Sequence, residues 1–232
     1  MRKIGDKEMV RRYADQFGLD AIMPEELFQT MTIQEYDRTE LICSTGDKLE
    51  YMYFLVSGKL KIYSSHSNGK SLMVRFHKPL SVIGDVELLN GYDVRCSIEA
   101  LIPSRLLVVS FDQLRKSIDN DARFWRFLVE NLSYKLYTFS SAAAMNLLSP
   151  LENRFASYLL STCFDENDNP FTPELKSTKL TEVSMILGTS YRHLVRVVRE
   201  FTRQKIIERE RGMIRIIDPA ALRTLAGGHL YE

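Results

Sequence analysis

From Asp119 to Leu148 the chain runs without a glycine or a proline, and Phe124, Leu128, Leu132, Leu136, Phe139, Ala143 and Leu147 recur at steps of four or three. That period specifies a single long helix. At about 1.5 Å per residue it extends over roughly 40 Å, more than one small domain can cover, so much of its apolar stripe needs another partner. Two arrangements answer this: the helix lies along its own domain, or it pairs in parallel with the same helix of a second copy across a two-fold axis. The second is the expected one, with Leu128, Leu132, Leu136, Phe139 and Ala143 at the contact and the small run Ala142-Ala143-Ala144 allowing close approach. Ser149-Pro150 ends the helix, because a proline pushes the residue before it out of the helical region.

The two flanks of this helix differ in texture. Between Met1 and Met31, apolar residues at helical spacing (Met9, Tyr13, Phe17) stop at Gly18 and Pro24, which predicts one or two short helices. From Thr32 to Val109 short runs rich in Val, Ile, Tyr and Phe, such as Met52 to Val56 and Leu106 to Val109, alternate with turn signals at Gly46, Gly58, Gly69 and Gly91. Eight or so short strands of a small antiparallel barrel or jelly roll fit this rhythm. After Pro150, helix signals (Leu151 to Cys163, Thr181 to Leu187, Tyr191 to Lys205) precede a strand pair around Arg211-Gly212, and the acidic stretch Asp165 to Pro170 reads as a surface loop. The fold class is therefore α+β, with a β-roll over 1–118, a long dimerisation helix over 119–149 and a winged helix-turn-helix over 150–232.

Thr181 to Ser190 reads as a capped short helix, a turn at Gly188 and a serine that caps the next helix, the arrangement of a helix-turn-helix. On the second helix Leu194, Val197, Val198 and Phe201 share one face. At ~100° per residue, Arg192, Arg196, Arg199 and Arg203 fall on a narrow stripe opposite. A charge run is ordinarily a solvated face. Here the stripe is all arginine, whose planar fork suits phosphate and guanine, and the charge is local: eight Lys and Arg stand against three Glu from Ser190 to Arg215, whereas residues 1–149 balance at 19 against 19. Thr181, Ser190, Tyr191, Arg192, His193, Arg196, Arg199 and, in the hairpin Ile206 to Ile217, Arg211 are the candidate contacts to double-stranded DNA.

Other classes find little support. The net charge of +1 makes the whole molecule no polycation. Cys43, Cys96 and Cys163 are far apart, with no C-x-x-C pair, which suits reduced thiols rather than a zinc knuckle. His66, His77, His193 and His229 are scattered without metal-ligand spacing, and no nucleophile elbow or Walker loop is present, so neither catalysis nor a metal is expected. Asp85 and Glu87 read as alternating positions of a strand. With no apolar leader and no window near the ~20 apolar residues of a span, a soluble cytoplasmic protein is expected. A ligand-binding β-roll acting through protein partners is the alternative, but such a module has no use for the arginine stripe.

These features together resemble the family of the cyclic-AMP receptor protein and the fumarate-nitrate reduction regulator. The matching runs are Thr45-Gly46-Asp47, Tyr53 to Tyr63, Asn68-Gly69-Lys70, Ile83 to Leu89, Leu151 to Leu160, Leu187 to Ser190 and Ile214 to Asp218. Ser190 to Leu194 is similar to the YeiL-like branch. The resemblance implies bacterial transcription factors that bind palindromic DNA as homodimers, with RNA polymerase as a further partner. In its cyclic-AMP binders a phosphate cassette resembles G-E-x-x-L followed by R-S-A, where Glu holds the ribose hydroxyl and Arg the phosphate. Here it maps onto Gly84, Asp85 and Arg95, Cys96, Ser97, and a glycine of the cassette is Leu80. A phosphate cradle needs small residues, so a cyclic nucleotide is not the favoured effector and no cofactor follows. Residues 1–30 hold no cysteine, against the oxygen-sensing branch's iron-sulfur design. The family's recognition helix presents Arg, Glu and, four residues later, Arg; the positions here are Tyr191, Arg192 and Arg196.

Overall fold

The computed structural model describes residues 1–65, 71–118, 121–163, 174–176, 180–210, 212–228 and 230–231. In chain order the elements are β1 (Arg2–Ile4), α1 (Lys7–Gln16), α2 (Glu25–Phe28), β2 (Thr32–Tyr36), β3 (Leu41–Cys43), β4 (Tyr51–Ser57), β5 (Leu60–Ser65), β6 (Ser71–His77), β7 (Ser81–Ile83), α3 (Asp85–Asn90), β8 (Ser97–Ala100), β9 (Ser104–Ser110), α4 (Phe111–Ile118) and α5 (Ala122–Leu148). They continue as α6 (Leu151–Cys163), β10 (Glu174–Lys176), α7 (Leu180–Ile186), α8 (Tyr191–Arg203), β11 (Ile207–Glu210), β12 (Met213–Ile216) and α9 (Pro219–Ala226). The chain groups into two compact units, Met1–Ile62 with Phe76–Tyr137, and Tyr63–Arg75 with Thr138–Glu232. The long helix α5 contributes to both.

In the first region the strands form a five-stranded sheet ordered β1-β2-β9-β4-β7 and a four-stranded sheet ordered β3-β8-β5-β6. The eight strands β2 to β9 match the rhythm of the turn signals. The edge strand β1, which pairs antiparallel with β2, carries no such signal, because three residues are too short to show a period. The central pair β4 and β9 is antiparallel, with Phe54 opposite Leu107. Met52, Phe54, Val56, Leu107 and Val109 pack into one core with Val10, Leu27 and Phe28 of α1 and α2, Leu114 and Ile118 of α4, and Phe124 and Leu128 of α5. Tyr53, Leu55, Leu106 and Val108, at the alternate positions, are buried too. Burial on both faces explains why β4 is a continuous apolar run. Gly58 turns β4 into β5 at φ 98°, where a Cβ would stand 2.2 Å from Ser104 Oγ.

In the second unit α6 is buried along most of its length, and Phe155 meets Phe201 of α8 with ring centroids 5.7 Å apart. A three-stranded sheet ordered β10-β12-β11 backs the winged motif, adding one strand to the expected pair. Tyr231 is wholly buried. Its backbone N–H donates to Ser161 Oγ of α6 at 3.2 Å, and its hydroxyl donates to Asn146 Oδ1 of α5 at 2.7 Å. Asn146 Nδ2 in turn donates to Met73 O at 3.1 Å. One tyrosine thereby braces the two helices that flank Ser149-Pro150.

Tyr231→Phe keeps the ring and loses the bond to Asn146, and is expected to lower stability by ~1 kcal/mol. Tyr231→Ala also leaves a cavity, and the expected loss is ~3–5 kcal/mol. Urea unfolding followed by circular dichroism reads both, and equal midpoints for the two variants would refute the packing role.

Candidate nucleic-acid interface and effector pocket

The turn between α7 and α8 is set by local chemistry. Gly188 takes φ 62°, a left-handed value that costs an L side chain about 1–2 kcal/mol. Thr189 N donates to Ser184 O at 2.9 Å, closing the end of α7. Ser190 then caps α8, its Oγ accepting from His193 N at 3.2 Å. Leu194, Val197, Val198 and Phe201 are buried, while Arg192, Arg196, Arg199 and Arg203 are exposed on the opposite side. Tyr191 is exposed and His193 half-buried, with Nδ1 3.4 Å from Thr189 Oγ1.

The four arginines are not equivalent. Arg203 is held bidentately by Glu200, with Nε–Oε2 3.0 Å and Nη2–Oε1 2.6 Å. Hydrogen bonds from Arg203 and Gln204 lower the Glu200 carboxyl to about 2. Among the described residues Arg192, Arg196 and Arg199 form no ion pair, so their charge is available to an incoming anion. Thr181 departs from expectation: α7 begins at Leu180, so Thr181 lies exposed within the first turn instead of capping it, and its carbonyl accepts from Ser184 Oγ at 2.7 Å. Arg211 lies outside the described residues. The wing strands β11 and β12 pair antiparallel, with Glu208 opposite Arg215.

The long helix corrects the expected contact stripe. Leu128 is 1% exposed inside the first unit's core and Leu132 packs against that core, so neither faces outward. Leu136 and Phe139 are exposed, and Ala143 is half-buried. Exposed apolar positions of α5 include Val129, Tyr134, Leu136, Tyr137, Phe139, Leu147 and Leu148. Val129, Leu136, Tyr137 and Leu147 share one side of the helix with Ser133, Ser140 and Ala144. This exposed side is turned by roughly 100° from the stripe the period alone suggested.

The effector pocket residues differ in burial and in their partners. Gly84 takes φ 96° and precedes α3, and a Cβ there would stand 2.8 Å from Tyr51 O. Asp85 and Glu87 lie on this helix, not on a strand. The turn between Gly84 and Gly91, both left-handed, overrides alternation in so short a stretch. Asp85 is buried, and its Oδ2 accepts from Lys135 Nζ of α5 at 2.6 Å. Ser97 is buried, its Oγ accepting from Thr45 N at 3.1 Å. Arg95 points to solvent, and among the described residues its side chain makes no hydrogen bond or ion pair. Burial pushes the half-buried Cys96 thiol up, aided by Glu87, and pushes Cys43 up to about 12. Burial, then Asp85, raises Glu87 as well. These residues do not fit a cyclic nucleotide: the phosphate partner is exposed, and both the carboxylate and the serine hydroxyl are engaged. Lys135, absent from the sequence-derived set, is the residue that completes this region.

Two family models match the chain. Residues 33–121 match the cyclic nucleotide-binding domain family, and residues 153–225 match the Crp-like helix-turn-helix domain family. The chain is 28% identical over 162 residues to the regulatory protein YeiL of Escherichia coli O157:H7, a match spanning 70% of each. To the transcriptional activator protein Anr of Pseudomonas protegens it is 25% identical over 194 residues, covering 82% of this chain and 78% of that one. A crystal structure from Eubacterium rectale, described as a transcriptional regulator of the crp/fnr family, superposes with a TM-score of 0.79 at 18% identity, covering 92% of this chain and 99% of that one.

Ser190→Ala removes the cap of α8 and is expected to cost ~1 kcal/mol, read by thermal unfolding. Because only the thiolate is alkylated, Cys43 should react with iodoacetamide at a rate that still climbs through pH 10, whereas an ordinary thiol levels off above ~8.5. A plateau near pH 9 in peptide-resolved mass spectrometry would contradict its burial.

Proposed function

The chain belongs to the Crp/Fnr family of transcriptional regulators, whose YeiL-like branch it resembles, and on that premise we propose that it is a homodimer that binds a palindromic double-stranded DNA site. The observation that carries this reading is the row Arg192, Arg196 and Arg199, exposed and without acidic partners among the described residues, on a capped helix whose other face is packed. Arginine forks grip guanine O6 and N7, and their charge releases counterions from the phosphate backbone. Tyr191 and Arg192 stand where the family presents Arg and Glu, so the acceptor for cytosine N4 is missing and the operator differs from the usual family half-site. The β-roll is the sensing half, and α5 carries its state to the head. The outward seam of Val129, Leu136 and Leu147 supports pairing with a second copy. Its work is regulatory rather than enzymatic, it lies in the cytoplasm with the DNA, and RNA polymerase is the partner through which it acts. No helix among the described residues is long and apolar enough to cross a membrane.

Selection from random DNA is expected to yield a palindrome with half-sites about one helical turn apart, each holding a guanine. Arg196→Ala should flatten the preference at one base pair, a loss of ~1–3 kcal/mol of discrimination. Arg203→Ala, already committed to Glu200, should leave the motif unchanged. An unaltered motif from Arg196→Ala removes that residue from the base-reading set. Leu136→Glu places like charges across the two-fold axis and should halve the mass seen by light scattering; an unchanged mass refutes the seam.

A further inference from the structure

Asp85 stands where the family resemblance puts the acceptor for an effector hydroxyl, and in this chain that acceptor already faces an ammonium. The carboxylate is 2% exposed, at the first residue of α3. Lys135 Nζ donates to Asp85 Oδ2 at 2.6 Å and to Val82 O at 2.9 Å. Val82 belongs to β7, so one side chain of α5 ties together the strand and the helix on either side of Gly84. Lys135 is also the one charged residue between Glu130 and Glu152 in the sequence, set in an otherwise apolar and hydroxylic stretch. The bonds to Asp85 and Val82 give the charge a reason to be there.

We propose that Lys135 is a built-in ligand of Asp85: it closes the junction of α3 with α5 in place of a hydroxyl-bearing effector, so that DNA binding does not depend on a cyclic nucleotide. This rests on the reading of the chain as a DNA-binding regulator. A ribose hydroxyl offers a carboxylate a bond from a neutral donor, whereas the ammonium offers a shorter charge-assisted one and neutralises a buried charge. A nucleotide entering this position has to break the charge-assisted bond between the ammonium and the buried carboxylate, and a neutral hydroxyl does not replace it in full. The other two anchors give no compensation, since Arg95 faces solvent and the Ser97 hydroxyl serves Thr45. The junction is therefore held by the chain itself, and a signal acts on it by making or breaking the pair.

The test uses the full chain and the palindromic duplex recovered by selection, with binding read by fluorescence anisotropy and the protection of α5 read by amide exchange. Wild type is expected to bind with no nucleotide added, and millimolar cyclic AMP or cyclic GMP should leave the affinity unchanged. Lys135→Met keeps the apolar stem and Asp85→Asn keeps the shape. Each should weaken binding about tenfold or more and speed exchange over residues 128–137, while the double variant should lose less than the two losses combined, the signature of a coupled pair. Affinity that rises with cyclic nucleotide, or a Lys135→Met variant that matches wild type in both readouts, would overturn the proposal. If wild type binds no duplex, the regulator reading falls, and exchange alone judges the pair: faster exchange in both single variants upholds it, and unchanged exchange rejects it.

Discussion

The insertion of Phe124 and Leu128 into the core beneath β4 and β9 sets the rotational phase of α5, and the rest of the helix follows from it. A helix is rigid about its axis over these lengths, so seating one face decides all the others. With Leu128 inside, Val129, Leu136 and Leu147 are left outside. Lys135 stands seven residues beyond Leu128, two turns along the same inner face, and so reaches Asp85 where the apolar core gives way to polar ground. Further along that inner face, Thr138 accepts from Arg75 at 2.9 Å, and Asn146 joins Met73 and Tyr231. The inner face begins apolar and gains hydrogen bonds further along, while the outer face mixes apolar and hydroxyl side chains.

The DNA-reading head obeys a different economy, in which short-range chemistry does most of the arranging. A left-handed glycine ends one helix, a serine starts the next, and packing of four apolar side chains turns the arginines outward. Glu200 then grades the arginines, removing Arg203 from the available charge and leaving those nearer the N-terminal end, the part of a recognition helix that meets base edges. A molecule with a net charge of +1 gains a basic reading surface by local segregation rather than by excess.

Most of the architecture was legible because it rests on local signals. Turn glycines mark the eight strands, an unbroken period marks α5, and cap and turn residues mark the paired helices α7 and α8. What was misread had too little length to carry a signal: β1 and β10 are three residues each, and α3 is a six-residue helix between two left-handed glycines. The candidate pocket was half legible. Gly84 and Asp85 sit together as their motif suggests, but nothing local says that Arg95 turns to solvent. Lys135 had a readable signal, a lone charge amid a long uncharged stretch, which marks a residue with a buried partner without saying which one.

The sequence by itself determined the periods: which segments coil, which extend, where they stop, and that arginines gather on one helical face. These are properties of neighbours along the chain, governed by backbone sterics and side-chain spacing. Only the tertiary structure decided phase and pairing, namely that Leu128 and Leu132 serve the chain's own core, that Glu200 withdraws Arg203, and that Asp85 belongs to Lys135. A helical period leaves the rotation of its stripe open, since several residues on an apolar helix are equally able to be buried. The choice is made by the shape and charge of what packs against it, fifty residues away for Asp85 and Lys135.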